Sequence, residues 1–254
     1  MDNDTAIGGT SDKFPLTRIS AIHAIREGDE IARLRAFDLL IAAYWKPVYK
    51  YIRIKWHKSN EDAKDLTQGF FAKALEKNFF SSFDPGKSKF RTFLLVCLEG
   101  YLQNEGKSGN RIKRGGDMQI LSLDFQSADE EMLETSSIDI QSPDTIERYF
   151  DIEWMRSLFA LSIDELKSQY ESSGKAMQFR LFERYDLERD KENEPLSYGD
   201  LAKESGIAVT DVTNYLSGTR REFRSIVLNK LRELTATEEE YRKEVLELLG
   251  IEPK

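Results

Sequence analysis

The 254-residue sequence has one cysteine, Cys97, and two histidines, His23 and His57. A single cysteine excludes a disulfide framework, and these side chains are too few for a zinc cluster. No apolar run approaches the roughly 20 residues that cross a bilayer, and the N-terminus is polar and acidic, so we expect a cytoplasmic protein. Strand-like alternation is also absent. The absence of strand-like alternation predicts an all-α protein.

The charges are unevenly distributed along the chain. The net charge of −8 argues at first against nucleic acid as a partner, because phosphate binding depends on clustered Lys and Arg. Residues 44–58, however, contain five basic residues and no acid, whereas residues 117–147 contain nine acids and no Lys or Arg. The sequence therefore separates a cationic segment from an acidic one.

Helical periodicity divides the first half of the chain into three helices. Apolar residues at three-and-four spacing predict a helix over residues 34–52, with Leu34 on its buried face and a kink or break at Pro47. Ser59 followed by Asp62 has the form of a capping box and opens the second helix. The third helix begins at Phe90, after an Asp-Pro-Gly turn.

These helices predict two helical domains joined by an acidic linker, the C-terminal domain being a helix-turn-helix. The predicted boundaries are residues 1–116, including an N-terminal extension, then a linker over 117–150, a second domain over 151–236 and a C-terminal helix over 237–254. Thr237 with Glu240 caps the C-terminal helix, and Gly250 ends it. Self-repulsion among the acids predicts an extended linker, within which short apolar pieces can dock locally. We expect it to contact the basic residues around 107–114 and to shield them from DNA, with a solvated tether as the alternative.

None of the candidate catalytic motifs has the full set of residues that its chemistry requires. We therefore predict no catalytic residue, no metal and no cofactor, and we do not expect the chain to be an enzyme. Gly106-Lys107-Ser108 resembles the end of a phosphate-binding loop, but Tyr101 stands where that motif requires glycine. Asp62 and Asp65 lie one helical turn apart without a local histidine, which is typical of a solvated face. Cys97 lies on an apolar helix face.

Residues 197–218 predict a helix-turn-helix. Ser197 and Asp200 cap a short helix, Gly206 occupies the tight turn, and Val209 and Val212 continue the core. An ordinary helical hairpin with a basic end is the alternative. The second helix would expose polar residues to base edges and arginines to phosphates. These residues are Thr210, Asp211, Thr213, Asn214, Ser217, Arg220, Arg221 and Arg224.

A second basic cluster, over residues 87–114, flanks an aromatic-rich helix. Cations beside aromatic rings suit single-stranded or opened nucleic acid. The alternative is that Phe90, Phe93 and Tyr101 are simply core residues.

Several runs of residues carry a family resemblance. Residues 44–49 (YWKPVY), 61–71 (EDAKDLTQGFF), 89–94 (KFRTFL) and 113–116 (KRGG) resemble the second conserved region of bacterial RNA polymerase sigma factors of the extracytoplasmic-function (ECF) type. Residues 212–216 (VTNYL) and 220–224 (RREFR) resemble the fourth conserved region.

The resemblance implies a role in transcription initiation. Asp62, Asp65 and Gln68 would bind the β′ clamp helices of core RNA polymerase, and the helix-turn-helix would read the minus-thirty-five element. The third helix and the loop after it would contact and open the minus-ten element through Lys89, Arg91, Asn104, Lys107, Asn110, Arg111, Lys113 and Arg114. The implied partners are core polymerase, including its β subunit, promoter DNA, and an anti-sigma factor or another regulatory protein, without membrane insertion.

Two other functions stay open from the sequence. One is a helix-turn-helix transcription regulator that acts without polymerase. The other is a sigma-like adaptor that has lost promoter binding. Gly106 and Gly109 in the loop, and Tyr215 and Gly218 in the recognition helix, stand where the family is often more basic, which predicts weaker phosphate anchoring.

Overall fold

The fold is all-α, as predicted. The computed structural model describes residues 20–108, 123–134, 143–188 and 196–250, and these residues form ten α-helices and no strand. None of the described helices is long and apolar enough to cross a membrane. The helices are α1 (Ala21–Glu27), α2 (Glu30–Lys55), α3 (Asn60–Glu76), α4 (Phe90–Ser108), α5 (Phe125–Glu134), α6 (Pro143–Ser172), α7 (Ala176–Phe182), α8 (Tyr198–Ser205), α9 (Val209–Glu233) and α10 (Glu238–Leu249), with a 3₁₀ turn at Phe79–Ser82 and a π-helical turn at Glu183–Leu187.

Local capping signals fix several helix ends where the sequence predicts them. Ser59, Ser197 and Thr237 each accept a hydrogen bond from the backbone N–H three residues further on, at the starts of α3, α8 and α10. Gly206 and Gly250 end α8 and α10 with φ of +66° and +62°. Only glycine adopts that left-handed conformation without strain, so the two helices stop at these residues.

The first long helix differs from the prediction in two respects. Helix α2 continues through Pro47, so the predicted break is absent. Proline removes one backbone hydrogen bond, but α2 packs against α1, α3 and α6 along much of its length, and this packing outweighs the loss. Leu34 is 44% exposed rather than buried, because the buried face of α2 begins at Ala36.

The acidic segment is partly helical, so the prediction of an extended chain is wrong for residues 125–134. Helix α5 buries Phe125 and Ala128 against α2. Asp129 and Glu131 of this helix lie against cations of α2, which offsets part of the self-repulsion that the sequence alone suggests. Helix α6 begins at Pro143, eight residues before the predicted start of the second helical unit, with proline in the first turn that tolerates it.

Two hydrophobic clusters form the interior, and both α6 and α9 contribute to each of them. The first cluster contains buried residues of α1 to α6, together with Val227 and Leu231 of α9 and Tyr241 and Val245 of α10. The second is built from the remainder of α6 and α9 with α7 and α8. Helix α10 therefore packs with the N-terminal helices rather than with α7 and α8.

A buried ion pair fastens α10 to the start of α4. Arg91, which is 8% exposed, donates to Glu244 of α10 and to Asp151 of α6 at 2.9 Å each. Its guanidinium carbon lies 4.1 Å from the ring centroid of Trp154. Burial alone would raise the pKa of the Glu244 carboxyl, but Arg91 and Lys89 outweigh it and the pKa is lowered. The carboxylate is therefore ionised and bonded in the folded chain.

We predict that Arg91→Met destabilises the protein by about 3 kcal/mol, because the variant leaves Glu244 buried without its guanidinium partner. The measurement is the free energy of unfolding in urea. The double variant Arg91→Met with Glu244→Leu should recover most of the loss, since an apolar pair needs no charge partner.

Lys243→Gln is the control for this pair, because it breaks an exposed ion pair with Glu239 on the same helix and should change stability by less than about 0.5 kcal/mol. Equal effects of Arg91→Met and Lys243→Gln would contradict a stabilising role for the buried pair.

Candidate nucleic-acid and protein interfaces

Helix α3 presents an acidic and amide row to solvent. Its inner face buries Ala63, Thr67 and Phe70, so the helix cannot rotate without exposing that face. Asp62, Asp65 and Gln68 lie on the opposite, exposed side. Among the described residues, none of these three side chains forms a hydrogen bond or an ion pair. The row is thus rigidly held and open to a partner.

The cations at the start of α4 are already bonded within the chain. Lys89 Nζ lies 2.8 Å from Glu244 Oε1 and 3.3 Å from Glu247 Oε2. The backbone N–H of Phe90 donates to Glu240 at 3.3 Å, so α10 lines its acids along the start of α4. With Arg91 also paired, two of the predicted minus-ten contacts, Lys89 and Arg91, face α10 and α6 in this conformation. Sequence analysis missed the acidic partners on α10 because they lie 150 to 158 residues away along the chain.

The outer face of α4 is uncharged over the part that the structure describes. It exposes Thr92, Val96, Gly100, Gln103 and Asn104. Among the predicted minus-ten residues, Asn104 is therefore accessible. The Lys107 side chain and the residues Asn110, Arg111, Lys113 and Arg114 lie outside the described part of the chain.

Helices α8 and α9 form a tight pair around the second cluster. Helix α8 buries Leu201 and Ala202, and the turn at Gly206 leads into α9, which buries Val212 and Leu216. The N–H of residue 207 returns to the carbonyl of Ala202 at 3.1 Å and closes the turn. This inner packing fixes which side of α9 faces outward.

The outward side of α9 carries most of the predicted DNA-contacting residues. Thr210, Thr213, Asn214 and Ser217 are exposed, and Asp211 is half-buried. The row continues with the exposed side chains of Arg221 and Arg224, which form no hydrogen bond or ion pair with any residue that the structure describes. From residue 210 to residue 224 the row extends about 21 Å along the helix.

Arg220 differs from its neighbours because it is engaged inside the fold. Its Nε and one terminal nitrogen each lie 2.9 Å from a carboxylate oxygen of Asp186, in a bidentate pair. The Tyr198 hydroxyl accepts from the other nitrogen at 3.2 Å, and the Tyr185 ring lies 5.4 Å from the guanidinium. The bond to Asp186 raises the pKa of Arg220 further above its ordinary value. Arg220 thus ties α9 to the π-helical turn and to α8.

One surface residue was missed by sequence reasoning. Val209 is expected in the core, yet it is 49% exposed. It is the first residue of α9, and helical side chains lean toward the N-terminus, so this one projects past the end of the helix. The sequence signal that indicates its exposure is its position at the start of the predicted helix, directly before Thr210.

The cationic and acidic segments meet in space. Glu131 of α5 lies 2.8 Å from Lys46 Nζ and 2.7 Å from Lys50 Nζ, and Asp129 lies 3.2 Å from Arg53. Two acids of the predicted linker, Asp129 and Glu131, therefore contact α2. The predicted contact with residues 107–114 falls largely outside the described residues and stays a prediction.

Cys97 offers little nucleophilic chemistry. Its side chain is half-buried, and burial raises the pKa of its thiol to about 11, so the thiol is protonated at neutral pH.

Comparison with protein-family models, with curated proteins and with solved structures found no match.

We predict that Arg220→Gln lowers the thermal midpoint, whereas Arg221→Gln leaves it nearly unchanged. Arg220 loses a bidentate pair that is partly exposed, which corresponds to about 1 kcal/mol after solvent screening. Arg221 is exposed and loses no contact with a described residue. Thermal melting followed by circular dichroism measures both variants. Equal midpoints would show that the Asp186 pair does not stabilise the α8–α9 unit.

Proposed function

We propose that the chain is a transcription initiation factor of the ECF sigma type, which binds core RNA polymerase and directs it to promoter DNA. The observation that carries the proposal is the exposed row of Asp62, Asp65 and Gln68 on α3. This row lies within the run of residues that most resembles the family. Its side chains form no hydrogen bond or ion pair with any described residue, so they are available to an external partner.

The proposed polymerase contact depends on charge and rigidity. Carboxylates and an amide along one helix face complement a cationic helical partner, here the β′ clamp helices. The buried inner face of α3 holds these groups in a fixed spacing before binding. Little side-chain and backbone ordering then opposes association.

The proposed minus-thirty-five contact uses α8 and α9 as a helix-turn-helix. In this arrangement Thr213 and Asn214 meet base edges in the major groove, and Arg221 and Arg224 contact phosphates. Arg220 is a positioning residue, because its guanidinium is bonded to Asp186. Val209 adds an apolar group at the start of the helix that suits a thymine methyl.

The proposed minus-ten contact falls to the outer face of α4 and the segment that follows it. Asn104 is exposed on this face. Lys89 and Arg91 hold α10 and α6 in the free chain, so their contact with DNA would require these ion pairs to open.

A second candidate function is a sigma-like adaptor that binds polymerase without reading promoters. The pairing of Lys89, Arg91 and Arg220 inside the chain favours it, because these cations are then withdrawn from phosphates. Both functions use the α3 row. They differ in whether the polymerase complex initiates transcription at specific promoters.

Reconstitution with purified core polymerase, followed by run-off transcription from genomic fragments, tests the proposal. A sigma-type factor both binds polymerase and initiates at defined start sites. Binding without defined start sites would identify the adaptor. Absence of binding would contradict both functions.

We predict that Asp62→Asn with Asp65→Asn weakens binding to core polymerase by about tenfold or more, since the variant removes interface charges. The free protein should keep its melting midpoint, because both side chains are exposed. Glu30→Gln with Asp38→Asn is the control, since it removes the same charge from exposed positions of α2. If the two double variants bind polymerase equally well, α3 is not the docking face.

We also predict different outcomes for base-reading and phosphate-contacting residues of α9. Asn214→Ala should change sequence preference at one or two promoter positions, because it removes a base contact. Arg221→Gln with Arg224→Gln should weaken all promoters alike and reduce the salt dependence of binding. Transcription from a promoter library at several salt concentrations measures both effects. A uniform loss with Asn214→Ala would show that Asn214 does not read bases.

A further inference from the structure

Donor groups of α2 and α3 converge on two carboxylates of α5. Asp129 accepts from the Tyr49 hydroxyl at 3.0 Å and from the Asn60 amide at 3.1 Å, and it pairs with Arg53. Glu131 bridges Lys46 and Lys50 with one oxygen on each, at 2.8 and 2.7 Å. Ammonium, guanidinium, hydroxyl and amide donors are thus arranged together around two anionic groups.

Aromatic rings adjoin these donors. Phe125 of α5 lies edge-on to Trp45 and Tyr49, with ring centroids 5.2 and 5.3 Å apart. Lys46 Nζ lies 5.8 Å from the Trp45 ring centroid. Phe125 and Asp129 are one helical turn apart, so α5 presents a ring and an anion about 6 Å from each other. A nucleotide presents a base and a phosphate at a similar separation.

The contacts that hold α5 against α2 and α3 permit the helix to detach. It has ten residues, fewer than the roughly 12 to 15 that an isolated helix needs for even marginal stability in water. The Glu131 side chain is 42% exposed and that of Asp129 is 24% exposed, so water and salt reach both ion pairs. A short helix that is held partly by solvent-accessible ion pairs opens locally at a lower free-energy cost than the long core helices.

We propose that the surface of α2 and α3 beneath α5 binds single-stranded nucleic acid, and that α5 occupies this surface in the free chain as an intramolecular mimic. Lys46 and Arg53 contact the phosphates, and Trp45 and Tyr49 stack on bases in the place of Phe125. Lys50 Nζ lies 2.6 Å from Glu153 of α6 and keeps this partner when α5 leaves. Lys50 is therefore part of the surface, but its charge is not available to a phosphate.

The Trp45 and Tyr49 rings, which are buried beneath α5 and are uncovered only when it leaves, favour a single strand over a duplex. Bases in a duplex are stacked on one another and offer no free face, whereas unpaired bases stack on aromatic side chains. Binding of a single strand to this surface does not require polymerase. It can therefore be tested independently of the promoter role.

Glu131→Gln and Glu130→Gln provide a matched pair of variants. Each removes one negative charge from adjacent positions of the same helix, but only Glu131 contacts the lysines, while Glu130 is exposed beside Gln126. The probe is a fluorescently labelled fifteen-nucleotide oligothymidylate, with a blunt duplex of equal length as the second arm. Binding to the full chain is measured by anisotropy at low and at moderate salt.

We expect Glu131→Gln to bind the single strand about fivefold more tightly than Glu130→Gln, because loss of the ion pairs increases the fraction of molecules with α5 released. The variant Asp129→Asn with Glu131→Gln should bind more tightly still. Affinity for the duplex should rise less. Lys46→Gln in the Glu131→Gln background should lower the affinity again and reduce the salt slope by about one phosphate contact.

Equal single-strand binding by Glu131→Gln and Glu130→Gln would overturn the proposal, because loss of the Glu131 pairs with Lys46 and Lys50 would then have made no binding surface accessible. A gain that persists undiminished with Lys46→Gln would also overturn it, since a general charge effect would then explain the binding. An equal gain for duplex and single strand would place the effect elsewhere on the chain.

Discussion

The ammonium group of Lys50 is the point on which the helical arrangement depends. Lys50 is fully buried in the middle of α2, and its charge is met by Glu153 of α6 and Glu131 of α5. A buried ammonium without partners is very costly, so α6 must pass beside α2 at the depth that brings Glu153 into contact. The buried guanidinium of Arg91 likewise requires α6 and α10 to lie close enough for Asp151 and Glu244 to pair with it. These pairs specify which helices meet, while the surrounding aromatic core supplies most of the favourable burial.

The paired charges reconcile an acidic chain with an expected nucleic-acid partner. The acids of α5 and α10 lie against the cations of α2 and α4, so in the free chain much of the cationic surface is occupied by the chain's own carboxylates. Under the proposed function, contact with polymerase and DNA would exchange these intramolecular partners for intermolecular ones. Such an exchange costs less than exposing unpaired charge, because each carboxylate and each cation keeps a partner or regains water.

Sequence reasoning succeeds here where the governing interaction is local. The caps at Ser59, Ser197 and Thr237, and the exposed row on α3, follow from residues within one or two helical turns, and the structure confirms them. Likewise, the all-α fold follows from apolar periodicity. The unbroken path of α2 through Pro47 could not be predicted, because it depends on packing with distant helices.

The pairing of charges also lay beyond sequence reasoning. A run of acids predicts mutual repulsion until the position of opposite charges in space is known, which is why α5 was expected to be extended. Arg91 and Arg220 carry the residue type of a phosphate contact, but their carboxylate partners are separated from them in sequence by 153 and 34 residues. Roles for these arginines can be argued only once those partners are known.

Zero-length cross-linking with a carbodiimide tests the central claim most directly, because it joins an amine only to a carboxylate already in contact with it. Residues 44–58 contain no acid, so any link from Lys46 must reach another part of the chain. Peptide mapping of the free, full-length protein should find Lys46 joined to Glu131, and Lys89 joined to Glu244 or Glu247. Links from Lys46 and Lys89 to other carboxylates only, or none at all, would contradict the account.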